Sequence, residues 1–199
     1  MNKEWNIANP PPATVKRPGG FFKNMPSTLI IFDGSNFYHK SKKIAPNIHL
    51  TNFDYRKLSE LIARNIDIDI EYCVGEIKRE IDNEKSKMMY NGQMALFNNL
   101  KNRKIIVKKG FMMKIGEFYH EKGVDVRMAT DIVKGALKNK YQTFYVISSD
   151  SDILPAIEVA ISAGKKVVYV AFEKTIISKA LAINCSETFF ITKSVLENI

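Results

Sequence analysis

Short, almost unbroken apolar runs recur along this chain, and segments with helical periodicity separate them. The runs occupy residues 28–32, 70–74, 105–107, 143–147, 167–172 and 189–191. Helical patterns occupy 54–64, 84–100, 126–137, 153–163 and 176–183. A strand with one wet face alternates apolar and polar residues, and these runs do not, so both faces of each must be covered. Alternation of this kind over about 165 residues predicts an α/β fold, a three-layer sandwich. Its central sheet is open and mostly parallel, and helices flank the strands on both faces.

The 199 residues suffice for one domain. With 45% apolar and 26% charged residues, the chain is not a wholly disordered one. Its longest apolar runs fall far short of the ~20 residues that cross a bilayer, so no membrane span is expected. No apolar signal segment opens the chain. Cys73 and Cys185 form no CxxC pair, which argues against a disulfide framework or a zinc site and favours a reducing, cytoplasmic compartment. Pro10, Pro11, Pro12, Pro18 and Pro26 crowd the start of the chain, beside Gly19, Gly20, Lys16, Arg17 and Lys23. Residues 1–26 are therefore expected to form a flexible basic arm, with one domain over 27–199. Thirty Lys and Arg against 21 Asp and Glu give a formal charge of +9, which favours a polyanionic partner.

Ligands of open parallel sheets sit beyond the carboxyl ends of the strands, so the residues after each strand matter most. The first run leads into Asp33-Gly34-Ser35-Asn36, and the fourth into Ser148-Ser149-Asp150-Ser151-Asp152. Asp125 opens the helix before the fourth run. At ~100° per residue it shares a stripe with Ala129, Ile132, Val133 and Ala136, the stripe that faces the sheet. Each aspartate has a plain alternative: Asp33-Gly34 as a turn, Asp152 as N-cap of 153–163, Asp125 as cap of its own helix. Together, however, three separate turns bring carboxylates to one edge. Two such charges ~4 Å apart repel by about 4 kcal/mol at an effective dielectric near 20, and a cation would relieve this. Oxygen ligands without His or Cys point to Mg²⁺ or Mn²⁺. Asp131 lies about 240° round the helix from Asp125, either as an i,i+4 partner of Arg127 or as an outer carboxylate of the site. His39, His49 and His120 form no ligand pair and read as surface residues, while Cys73 reads as core.

Three segments carry a resemblance. Ile31-Phe32-Asp33-Gly34-Ser35-Asn36-Phe37-Tyr38 resembles the opening motif of NYN-domain proteins, in the LabA-like branch of the PIN-like nuclease superfamily. Lys122-Gly123-Val124-Asp125-Val126 through Thr130-Asp131-Ile132-Val133 resembles that family's second motif, and Ser148-Ser149-Asp150-Ser151-Asp152-Ile153-Leu154-Pro155 its third. The helix over 84–100 matches no motif of the family, and Asn184-Cys185-Ser186-Glu187 stands where it often has Ala-Asp. The resemblance implies a PIN-like, Rossmann-like fold and a metal-dependent ribonuclease. It implies that Asp33, Asp125, Asp150 and Asp152 form the acidic, metal-holding and catalytic centre. Asn36 and Ser149 would be polar supports and Asp131 a further acidic position.

The resulting expectation is hydrolysis of RNA phosphodiesters with Mg²⁺ or Mn²⁺, with DNA as substrate and a homodimer both left open. Lys40, Lys42, Lys43, Arg127 and Lys108-Lys109 are the candidate holders of the nucleic-acid backbone. A non-catalytic RNA-binding or regulatory module on the same fold is the alternative. A haloacid-dehalogenase-type phosphatase fits less well, because Ser35 stands where that chemistry needs a second aspartate.

Overall fold

The computed structural model describes residues 28–80, 83–116 and 118–199; the basic arm expected over 1–26 lies outside them. The chain runs β1 (Thr28–Asp33), α1 (Gly34–Ile44), α2 (Tyr55–Ala63), β2 (Asp69–Glu76), α3 (Glu84–Asn102), β3 (Ile106–Ile115) and β4 (Phe118–Lys122). It continues through α4 (Val124–Leu137), β5 (Thr143–Ile147), α5 (Leu154–Ser162), β6 (Lys166–Phe172), α6 (Lys179–Asn184), β7 (Glu187–Ile191) and α7 (Lys193–Glu197). The seven strands form one sheet in the order β4-β3-β2-β1-β5-β6-β7, parallel throughout except for the antiparallel β3–β4 pair. The expected α/β three-layer sandwich is present, with β1 at its centre.

All six residues of β1 are buried, as a strand covered on both faces must be. Leu29 and Ile31 face a core built with α4, α5 and α6. Ile30 and Phe32 face a second core built with α1, α2, α3 and α7. In the second core Phe32 meets Phe37 edge-on at 5.3 Å and stacks on Tyr72 at 5.9 Å, so the start of α1 is fixed to the sheet by aromatic rings. Among the described residues no helix is long and apolar enough to cross a membrane.

Besides small shifts at element ends, β3, β4, α1 and α7 differ from the sequence expectation. The third run, expected over 105–107, extends to Ile115 and returns as β4. Phe111, Met113 and Tyr119 of this ribbon are exposed, so no apolar pattern marks it. Helix α1 was not expected, because its buried positions are only Gly34, Phe37 and Ser41. The ribbon has a topological consequence. Lys122 pairs with Phe111, and Phe111 with Glu76 at the carboxyl end of β2, so α4 starts at the same rim where β1 and β5 end.

Gly34 sits where α1 crosses β2. A Cβ there would lie 2.5 Å from Tyr72 Cε1 and 2.9 Å from the Cys73 carbonyl oxygen, and that carbonyl belongs to a central strand that cannot yield. Alanine gains up to about 1 kcal/mol over glycine in a helix, but overpacking of this kind costs about 1–3 kcal/mol, so the clash wins. Gly34→Ala is expected to lower the urea midpoint; an unchanged or higher midpoint would refute this account of the α1–β2 crossing.

Candidate active site

Asp33 ends β1 and is also the N-cap of α1. Its Oδ1 accepts from the Asn36 backbone N–H at 2.9 Å, and its Oδ2 accepts from Ser148 Oγ at 2.9 Å. The same hydroxyl accepts from the Asp150 backbone N–H at 3.1 Å, which links the ends of β1 and β5. Asn36 turns its side chain to the β5 loop as well, donating from Nδ2 to Ser149 Oγ at 2.9 Å.

A cavity of about 300 Å³ opens at this rim. Four carboxylates line it: Asp33 from β1, Glu121 from β4, Asp125 from the first turn of α4, and Asp150 after β5. Ser35, Asn36, His39, Lys40 and Val124 complete the wall. Only 6% of Asp33 is exposed. Burial pushes its pKa up to about 6; the hydrogen bonds from Asn36 and Ser148 pull it down, while Glu121 and Asp125 push it further up. Burial is also the main reason that the Asp125 pKa is raised, followed by the charges of Asp150, Glu121 and Asp152.

The sequence reading missed Glu121. Its Oε2 accepts from Ser35 Oγ at 2.7 Å and from the Gly75 backbone N–H at 2.9 Å. Gly75 makes this possible, since a Cβ there would stand 2.9 Å from both Cγ and Oε2 of Glu121. Glu121 lies in the unpatterned ribbon, and the one available signal was its position four residues before Asp125.

The other expected residues are placed differently. Asp152 is exposed and outside the cavity wall; its backbone N–H donates to Asp150 Oδ1 at 2.9 Å, so Asp150, not Asp152, caps the short turn before α5. Gly123 caps α4, so Asp125 is free of that role. Asp131 does not pair with Arg127. Its Oδ2 is 3.1 Å from Lys108 Nζ, which also lies 3.4 Å from Glu71 Oε1, because the sheet-facing side of α4 meets β3 there. Arg127 is exposed and is not part of the wall. Lys109 pairs with Glu76 at 2.5 Å, and Lys42 donates to the carbonyls of Pro46 and Ile48, so the expected basic holders are largely engaged elsewhere. His39, His49 and His120 are all exposed, as expected, and His39 also borders the cavity. Cys73 and Cys185 are buried free thiols, as core cysteines should be.

An oxygen-only donor set suits a hard divalent cation. Among the described residues no three His, Cys, Asp or Glu side chains are already grouped to hold one ion. Mg²⁺ does not require such a cage, since it keeps several waters and takes one or two protein carboxylates plus substrate phosphate. The donor chemistry therefore fits a partly hydrated ion.

The NYN domain family matches residues 27–193. Among solved structures, a crystal structure of a protein of unknown function from Vibrio parahaemolyticus superimposes with a TM-score of 0.58 at 16% identity. The match covers 85% of this chain and 94% of that one. At that identity it shows a shared fold. Comparison with curated proteins gives no significant match.

The raised Asp33 pKa fixes a pH dependence. An ordinary aspartate titrates at 3.8 and Asp33 near 6, so the fold binds this proton more tightly than the unfolded chain. The stability that Asp33 contributes is then lost as pH rises through that window, by ~3 kcal/mol in all. In EDTA, Asp33→Asn is expected to raise the melting temperature at pH 7.5 and to change it little near pH 4. Asparagine can still accept from Asn36 and meet Ser148. A variant no more stable than wild type at pH 7.5 would remove this electrostatic account.

Proposed function

The chain belongs to the NYN domain family, which lies in the PIN-like nuclease superfamily and whose domains are generally nucleases, and on that premise we propose that it is a metal-dependent ribonuclease of the LabA-like branch. One observation carries the reading: four carboxylates from four separate elements line one cavity at the carboxyl rim of a parallel sheet, and one of them is buried.

Asp33, Asp125 and Asp150, with Glu121, are the residues that would hold Mg²⁺ or Mn²⁺. Such an ion supplies positive charge that offsets the carboxylates and polarises a phosphodiester towards attack by water. The chain's own contribution is preorganisation. Asn36 and Ser148 fix both oxygens of Asp33, and Ser35 and Gly75 fix Glu121, so these acids need little reordering when substrate arrives. Asn36, itself held by Ser149, presents its remaining amide capacity beside Asp33 for a ligand or phosphate oxygen. Asp152 acts from outside the wall through its charge on Asp125. Asp131 and Arg127 take no part in the proposed chemistry.

Labelled RNA and DNA strands incubated with Mn²⁺, Mg²⁺ or EDTA test the proposal. RNA cleavage is expected with either ion and none with EDTA. Asp33→Asn is expected to lower kcat/KM by about 100-fold or more, and Glu121→Gln by about tenfold. Cleavage that persists in EDTA defeats the metal requirement. Binding of RNA without cleavage under any of these conditions makes the protein a non-catalytic module, and preferential cutting of DNA changes the substrate.

A further inference from the structure

Among the described residues the cavity wall carries four carboxylates and a single Lys or Arg side chain, Lys40. Lys40 stands four residues after Asn36 on α1, and residues at that spacing share a helix face. Its Nζ donates to the Ile176 carbonyl at 2.6 Å. That carbonyl belongs to the connection between β6 and α6, which is tied down on both sides. Thr175 Oγ1 donates to the Phe172 carbonyl at 3.1 Å, and the Ser178 backbone N–H donates to Tyr169 Oη at 3.2 Å. Among the described residues no carboxylate forms an ion pair with Lys40, whereas Lys108 is paired with Glu71 and Asp131 and Lys109 with Glu76. Lys40 is half-buried, and this burial together with the nearby Lys43 lowers its pKa.

An ammonium group has three N–H donors, and one is used here. The other two have no acid to satisfy them, in a wall whose acids would otherwise repel any phosphodiester. A lysine with this placement is a ready donor to an anion, and partial desolvation strengthens such a bond.

We propose that Lys40 is the phosphate-binding residue of the cavity, donating to a non-bridging oxygen of the nucleic-acid backbone while Ile176 holds its ammonium in place. This rests on the nuclease reading above. It separates two jobs: the acids act at the scissile bond, and Lys40 anchors the strand. A plainer role, as a tether between α1 and the 173–178 connection, would use the same hydrogen bond and no phosphate.

The experiment compares three proteins by fluorescence anisotropy with a fluorescein-labelled single-stranded RNA of mixed sequence: Asp33→Asn, Asp33→Asn/Lys40→Met and Asp33→Asn/Lys40→Arg. The Asp33→Asn background, measured in EDTA, suppresses cleavage during the measurement. Methionine keeps the apolar stem and removes the charge; arginine keeps the charge. Loss of one phosphate contact is expected to weaken binding about tenfold at low salt and to flatten the slope of log K against log salt by about 0.7, with arginine restoring most of both. In the otherwise wild-type enzyme, Lys40→Met is expected to raise KM about tenfold with kcat changed less than about twofold. An unchanged salt slope in Lys40→Met overturns the proposal even if affinity or melting temperature falls, since that is the signature of a tether alone. Absence of RNA binding by the Asp33→Asn protein and of cleavage by the wild type overturns the nuclease reading and the Lys40 assignment with it.

Discussion

The cost of burying and crowding carboxylates that the fold itself gathers is the constraint on which the rim depends. Asp33 is the sharpest case, because it is buried at the end of the central strand with Glu121 and Asp125 close enough to raise its proton affinity. A chain selected only for stability would place an apolar residue or a lone capping serine there. Retaining an aspartate costs the metal-free fold a sizeable part of the 5–15 kcal/mol that a domain typically has. The surroundings are arranged to hold the charge without neutralising it: hydroxyls and backbone N–H groups face the acids, and Lys108 and Lys109 of β3 are occupied by Glu71, Asp131 and Glu76.

Holding such a site rigid falls to the two cores below it. Phe32 and Phe37 bracket Asp33 in sequence and meet edge-on, so the carboxylate projects from a backbone fixed on both sides. Tyr72 Oη donates to the Gly34 carbonyl at 3.3 Å and adds a polar tie between β2 and the first turn of α1. On the other face, Val124 and Met128 are buried against the sheet, which sets the first turn of α4 and hence Asp125. The acids thus come from strand ends, a loop and a helix start, and the buried core beneath them sets their positions.

Much of this was legible in the sequence, for a physical reason. Strands covered on both faces leave long apolar runs, and the turns after 28–32 and 143–147 carried polar motifs at the positions where α/β sheets place ligands. Asp33, Asp125 and Asp150 followed from that logic and do line one cavity. What escaped detection lacked a burial signature. Helix α1 buries only three positions, and the β3–β4 ribbon stands at the sheet edge with Phe111 and Tyr119 exposed, so neither had a period to read. Glu121 was lost with the ribbon. The expected Asp131–Arg127 pair is absent because the partner of Asp131, Lys108, lies on a strand brought close by the topology, which helical spacing does not reveal.

The formal charge of +9 takes on a different meaning once the cavity is described. The wall itself holds four acids against one lysine, so the basic excess lies elsewhere on the protein. Charges spread over a surface act through the long-range field, which steers a polyanion towards the protein but fades within about 8 Å at physiological salt. That field cannot position a phosphate against four carboxylates at contact distance. Attraction at range and placement at the rim are separate tasks: the surface excess serves the first, while the second needs a cation inside the wall. Of the described basic residues weighed in the sequence, only Lys40 stands in that wall, and it is held there by a backbone carbonyl, a partner that does not cancel its charge.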